Sequence, residues 1–256
     1  MNKYYQFALN GSADVLGNIQ SLVNFDDNNM SQHQYAYLFK NCSGIVDASK
    51  LKLPPTLSSR CYYHTFENCY SLTAAPQFPN TTFSYGSFEG MYMSCSSLIK
   101  APSVIPMLTG SDCRYMFQGC TSLRTAPQLP ATEITQYCYE YMFSGCTSLT
   151  SAPSILPATT LAASCYNEMF RGCTSLTEAP YLPANYLNVS NAYKYMFYGC
   201  SSLSSMSVGL LDWNNGSNSY EWVSGVAADG VFYKPEALPE IHGRWQIPAN
   251  WTVYNM

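Results

Sequence analysis

The sequence predicts an α/β right-handed solenoid of about seven stacked coils, with short strands on one face, short helices or turns on the other, and a cap at each end. Three observations lead there. The first is a phrase, Met-Phe-x-Gly-Cys-Thr/Ser-Ser-Leu, found at Met116–Leu123, Met142–Leu149, Met169–Leu176 and Met196–Leu203, with looser copies at Leu38–Ile45, Thr65–Leu72 and Met91–Leu98. The second is its spacing: Cys42, Cys69, Cys95, Cys120, Cys146, Cys173 and Cys200 are 27, 26, 25, 26, 27 and 27 residues apart. A fixed period in the twenties marks units that cannot bury their own apolar faces and must stack on one another. The third is that small length changes fall after the prolines, so the second Pro follows the cysteine by 10 residues from Cys69, Cys120 and Cys173 but by 11 from Cys95 and Cys146.

Residues 1–35 break the period and carry Val15, Leu16, Ile19, Leu22 and Val23, the apolar set expected of an amino-terminal cap. Residues 36–210 hold the repeats. In the unit from Cys138 to Leu149, apolar side chains fall at positions 0, 4, 5, 8 and 11. That one-sided pattern approximates a short helix running into a buried turn, with Cys138, Met142, Phe143 and Cys146 facing inward. The next stretch, Leu149 to Pro157, is short and extended. Its prolines have no N–H to give a sheet and push their predecessors toward extended geometry.

Stacking at ~4.8 Å per strand makes six steps span roughly 30 Å. Columns of like residues then line the interior: Phe39, Phe66, Tyr92, Phe117, Phe143, Phe170 and Phe197 in one; Ile45, Leu72, Leu98, Leu123, Leu149, Leu176 and Leu203 in another. From about Asp212 the composition changes, and all four tryptophans, Trp213, Trp222, Trp245 and Trp251, lie in residues 211–256. That segment is expected to close the stack with its rings. An aromatic patch for a carbohydrate or a partner protein is the alternative reading.

Composition narrows the chemistry. Charged residues are 11% of the chain against about 25% in ordinary soluble domains, so the surface is neutral and rich in hydroxyls. Twelve Lys and Arg face sixteen Asp and Glu, and no repeat position collects the basic ones, which argues against nucleic acid. No apolar run reaches the ~18 residues needed to cross a bilayer, and no export signal is visible at the amino terminus.

The eleven cysteines lack the clustered Cys-x-x-Cys or Cys/His spacing of a zinc site. Cys61, Cys138 and Cys165 precede their partners by eight residues and Cys113 precedes Cys120 by seven, too far along a helix for a disulfide. Buried thiols acting as small apolar spacers are expected; pairing between neighbouring coils stays open. His33, His64 and His242 share no register, a dyad of His64 with Cys61 or Cys69 would draw on core cysteines, and Asp26-Asp27 sits in a polar stretch. Neither enzyme activity nor any cofactor or metal is expected.

Laid out as Cys/Ile-x3-Met/Ala-Phe-x2-Cys-x2-Leu-x2-Ala-Pro, roughly residues 36–205 resemble the BspA-like leucine-rich repeats, also called the Treponema pallidum type. Runs such as Tyr141 to Thr150 look like members from gut Bacteroidales and their phages. The segments Gly17 to Leu22 and Ile247 to Val253 are similar to those flanking such arrays. The resemblance implies a surface-exposed or secreted protein that binds matrix proteins or other cells, with no catalytic residues. Ala-Pro here replaces the Ile or Val that many members place in the strand. The expected function is therefore recognition or adhesion, with a protein or glycan on a host or neighbouring cell as partner. A structural spacer or virion component docking through its caps is the alternative. Outward-facing strand positions Lys100, Arg124, Thr125, Gln128, Ser151, Thr177, Glu178 and Tyr181 are the candidate contacts.

Overall fold

The computed structural model describes residues 6–7, 9, 11–22, 34–54, 60–79, 88–106, 113–213 and 216–256. Val23, Asp26, Asp27 and His33, singled out above, lie outside the described residues. The repeats stack as a solenoid, and their interior is one continuous core running from Ile19 to Trp251.

The expected short helices are not there. Among the described residues the helical elements are two 3₁₀ turns, Ile19–Leu22 and Gly216–Ser219, and the Met-Phe-x-Gly-Cys phrase forms a chain of tight turns. Its hydrogen bonds alternate. The N–H groups of Cys138, Glu140, Met142, Ser144 and Cys146 donate to the carbonyl three residues back; those of Tyr137, Tyr139, Tyr141, Phe143 and Gly145 donate to Ala163, Cys165, Asn167, Met169 and Arg171 of the next coil. An α-helix would keep every interior N–H within the coil. The turn chain instead uses alternate ones to join neighbours, so every N–H from Tyr137 to Cys146 has a partner.

This geometry needs a left-handed residue at every fourth position: Tyr137 at φ 63°, Tyr141 at 56° and Gly145 at 75° in one coil, Ser164, Glu168 and Gly172 in the next. A non-glycine residue there costs about 1–2 kcal/mol. Fourteen described non-glycine residues accept that cost, and the inter-coil hydrogen bonds offset it. The four-residue period also sets the facing. Cys138 and Tyr139, then Met142 and Phe143, point inward, while the left-handed Tyr137, Tyr141, Gly145 and Gly172 are partly exposed and Ser164 and Glu168 are buried.

Inside, the columns are stacks. Ring centroids are 5.0 Å apart for Phe39–Phe66, 5.5 Å for Phe66–Tyr92, 5.4 Å for Tyr92–Phe117, 5.6 Å for Phe117–Phe143, 5.4 Å for Phe143–Phe170 and 5.5 Å for Phe170–Phe197. A parallel stack runs four residues earlier in each coil, through Tyr35, Tyr62 and Phe88, then Tyr139, Tyr166 and Tyr193. Cys113 occupies this aromatic position in its own coil, which is why its spacing to Cys120 is seven rather than eight.

The main cysteine column is also bonded coil to coil. The thiols of Cys69, Cys95, Cys120, Cys146, Cys173 and Cys200 each donate to the carbonyl of the preceding coil's column aromatic, at 3.0–3.1 Å. Phe117 O accepts Cys120 N–H at 3.0 Å and the Cys146 thiol at 3.1 Å, so both of its lone pairs are used. A small side chain with a weak donor suits this site better than Ala or Val.

Tyr92 is the exception in its column. Its hydroxyl is buried without a hydrogen-bond partner, in a place where six other coils carry Phe. Tyr92→Phe is expected to raise stability by about 1–2 kcal/mol by removing an unsatisfied polar atom. Urea unfolding of the two proteins side by side measures it, and no gain would mean that the hydroxyl has a partner.

On the opposite face the strands shrink to single parallel bridges. Ala74↔Lys100, Thr125↔Ser151 and Glu178↔Ser205 form one ladder, and Val104↔Gln128 and Ile155↔Tyr181 another. Longer strands occur toward the ends. β1 (Ala13–Asp14) and β2 (Gly17–Asn18) pair in parallel with β3 (Ile45–Asp47) and β4 (Leu51–Lys52). β5 (Ser205–Ser207), β6 (Val231–Lys234) and β7 (Thr252–Asn255) form a parallel sheet in that order. Past Asp212 the turn ladder continues, since Tyr195, Phe197 and Gly199 donate to Tyr220, Trp222 and Ser224. Trp222 is fully buried and stacks on Tyr193 at 5.8 Å.

Candidate interaction surface

Seven of the eight strand positions picked from the sequence, Lys100, Arg124, Thr125, Gln128, Ser151, Thr177 and Glu178, are exposed, and Tyr181 is half-buried. Their backbones hold them in place. Ala126 N–H bonds Ser151 O at 2.9 Å, Thr150 N–H bonds Arg124 O at 2.9 Å, and Gln128 N–H bonds Ser103 O at 3.0 Å. Gln128, Ser151, Thr177 and Glu178 converge with Thr150, Ala152, Pro153, Ser154 and Ala179 around a shallow groove of about 360 Å³. Lys100, Arg124, Thr125 and Tyr181 lie outside that groove, on the ladders beside it.

The prolines shape this surface. Pro102, Pro127, Pro153 and Pro180 are buried where the chain leaves the first ladder, which fixes the direction of the next exposed side chain. Part of the hydroxyl content serves the fold instead. Thr121, Thr147 and Thr174 donate to the carbonyls of Ser96, Thr121 and Thr147, one coil back, at 3.2–3.5 Å.

The turn face carries a second set of side chains that the repeat pattern did not reveal. Glu67 pairs with Lys40 Nζ at 2.6 Å and His64 Nδ1 at 2.8 Å; Glu140 pairs with Arg114 and accepts Asn167 Nδ2 at 2.8 Å. Glu168 accepts Tyr141 Oη at 2.8 Å and pairs with Arg171, and Glu221 pairs with Arg244 at 2.9 Å. Tyrosines fill the gaps, with Tyr115–Tyr141 stacked at 5.1 Å and guanidinium groups over Tyr63, Tyr115, Tyr137 and Tyr198. The carboxylates are buried beneath and the cations lie further out. These residues recur at shared repeat positions, such as that of His64, Tyr115, Tyr141 and Glu168, but the residue type changes from coil to coil, so no consensus marks them.

His64 is held tightly within this layer. Burial pushes its imidazole down from the ordinary value while the Glu67 carboxylate pulls the other way. It stacks on Tyr37 at 5.8 Å and meets Tyr63 edge-on at 4.3 Å. The neighbouring coil makes room with Gly90, where a Cβ would sit 2.5 Å from His64 Nδ1. At Gly145 the same Cβ would be 3.8 Å from Gly119. Gly145→Ala is thus expected to cost only the left-handed backbone, about 1–2 kcal/mol. Gly90→Ala adds a ring clash of about 1–3 kcal/mol. Denaturant unfolding of the two variants tests the difference, and equal costs would show that the His64 ring is free to move aside.

The dyad considered from the sequence does not assemble, because His64 is engaged by Glu67 and the Cys69 thiol by Phe39 O. All eleven cysteines are buried and none forms a disulfide. Burial drives the thiols of Cys69, Cys146, Cys165 and Cys200 up to about 12, and those of Cys95, Cys120 and Cys173 well above their usual range. Among the described residues no group of three His, Cys, Asp or Glu side chains is placed to hold a metal ion, and no helix is long and apolar enough to cross a membrane.

Residues 104–211 match, in six copies, the family described as BspA type Leucine rich repeat region. Among solved structures the chain is similar to a leucine-rich repeat protein from Bacteroides ovatus, at 15% identity over 80% of this chain and 76% of that one, with a TM-score of 0.31. No curated protein matches the chain.

Proposed function

We propose that the chain, a BspA-type leucine-rich repeat protein, is a non-enzymatic recognition module that binds a protein or glycan partner through the strand face of its solenoid. One observation carries this reading. The turn face satisfies its charges internally, through the Glu67, Glu140, Glu168 and Glu221 pairs, whereas the strand face presents exposed polar side chains around an open groove. Rigid backbone with adaptable hydroxyl and amide groups lets a partner bind at low ordering cost. Placement outside the cell, on a surface or secreted, fits such a role.

An array of extracellular-matrix proteins and glycans tests it, probed with the wild-type chain and with Gln128→Ala/Ser151→Arg/Glu178→Lys. Binding that the triple variant weakens about tenfold or more supports the proposal. Binding absent from the array, or binding that the triple variant leaves intact and turn-face variants such as Tyr195→Ala abolish, rejects it.

A further inference from the structure

The cations of this chain sort by face. Lys40, Arg60, Arg114, Arg171, Lys194 and Arg244 on the turn side each have a carboxylate or an aromatic ring as partner, and Lys234 is buried against Asn255. Lys50, Lys52, Lys100 and Arg124 are the four cations among the described residues with no ion pair and no ring contact, and all four are exposed on the strand side. They fall at different distances after their cysteines, so they form no column in the sequence.

Structure gathers them at the amino-terminal half of the strand face. Lys50 and Lys52 line a groove of about 600 Å³ with Leu51, Leu53, Gln77 and Phe78. That groove continues past Gln77, Phe78 and Pro79 to Ser103, Val104 and Pro106. Lys100 bridges Ala74 beside it, and Arg124 lies one coil further on, next to Thr125. Lys50 and Lys100 both act on the Asp47 carboxyl, which hydrogen bonds from Ser49 already hold below its usual range. Against Asp14 and Asp47 on the same strands, the four cations leave this patch with an excess of two positive charges (4 − 2), on a chain whose net charge is −4. The patch is also apolar, since Val104 and Ile99 are 44% and 50% exposed and Phe78 is half-buried.

We infer that this groove is a docking site for an acidic, extended protein segment carrying at least one aliphatic or aromatic anchor residue. The inference rests on the recognition role proposed above and names the chemistry of the partner. Unpaired cations select carboxylates. The apolar floor favours a polypeptide over a sulfated glycan, which has no side chain to fill it. The cations span three coil steps, about 15 Å, which about five extended residues cover. The segment lies along the solenoid axis, its acidic side chains toward Lys100 and Arg124 and its anchor over Phe78 and Val104.

Panning a displayed library of short random peptides tests this on the full chain, in parallel with Lys50→Gln/Lys52→Gln/Lys100→Gln/Arg124→Gln and with Lys194→Gln as a turn-face control. All four sites are exposed, so matching thermal midpoints will verify that the quadruple variant folds. The expected result is enrichment of acidic peptides with an apolar residue on the wild type and on Lys194→Gln, falling about tenfold or more on the quadruple variant. No enrichment, enrichment without acidic bias, or acidic peptides retained by the quadruple variant would overturn the inference. So would heparin binding the patch where no peptide does. A matrix protein captured on the array whose binding survives the quadruple change but not Gln128→Ala/Ser151→Arg/Glu178→Lys would leave the recognition role standing and remove this site.

Discussion

Replacing Phe143 with alanine is expected to remove about 3–5 kcal/mol of stability and to divide the unfolding of the chain in two. Phe143 is fully buried between Phe117 at 5.6 Å and Phe170 at 5.4 Å. Removing its ring leaves a void that rigid neighbouring coils cannot close, because each is fixed to the next by backbone hydrogen bonds as well as by packing. In a one-dimensional stack stability is the sum of units and their interfaces, so a weakened central interface uncouples the two halves. The molecule supplies the probes. All four tryptophans lie at Trp213 or beyond and report the carboxyl-terminal half, while labelling of Cys69, Cys95 and Cys120 reports the amino-terminal half. In the wild type the two signals should change together with urea; in the variant they should separate. A single transition with a loss below about 1.5 kcal/mol would mean that the aromatic column is not the continuous core.

The second large effect concerns the thiols. In mildly alkaline buffer, iodoacetamide should leave the native chain unmodified over the time in which all eleven cysteines react in concentrated guanidinium. The reactive species is the thiolate. Burial raises the thiols of Cys146 and Cys200 to about 12 and that of Cys120 well above its usual range, and each donates its proton to a carbonyl one coil back. Labelling therefore waits for opening, and protection in the central coils should reach at least about a thousandfold. Cys42 should react first. It sits toward the amino-terminal end of the stack and burial raises it less completely, whereas Cys120 and Cys146 are enclosed on both sides. Fast modification of Cys120 or Cys146 in the folded protein would contradict the thiol ladder.

Much of this architecture was legible in the sequence, because identical environments repeat and each selects the same residue. The Phe, Cys and Leu columns could be read off directly, and the prolines announced strands of minimal length, which the single bridges of Thr125 with Ser151 and Ile155 with Tyr181 bear out. The helices were misread. Cys138, Met142 and Cys146 recur at a strict four-residue step, which on an α-helix would drift by about 40° each time. A turn chain with a left-handed residue every fourth position keeps the step in register, and the glycines at Gly119, Gly145, Gly172 and Gly199 were its one visible sign.

The surface was only half legible. Outward strand positions follow from alternation, so Gln128, Ser151 and Glu178 were found. Their gathering with Thr150, Pro153 and Ser154 around a groove depends on how the coils stack. The turn-face pairs were hidden because unlike residue types fill one repeat position in successive coils, as Arg114 and Glu140 do six residues before their cysteines and Lys40 and Glu67 two before theirs, so no consensus residue marks them. Lys50 and Lys52 were hidden because they follow Cys42 at distances that Lys100 and Arg124 do not repeat after Cys95 and Cys120.

The alternating backbone pattern also has a mechanical meaning. Between the coils of Cys146 and Cys173, five N–H···O links from Tyr137, Tyr139, Tyr141, Phe143 and Gly145 all point along the rod. A tug on the two ends loads those rungs at the same moment, so the filament should hold without stretching and then give way abruptly, one whole ring at a time.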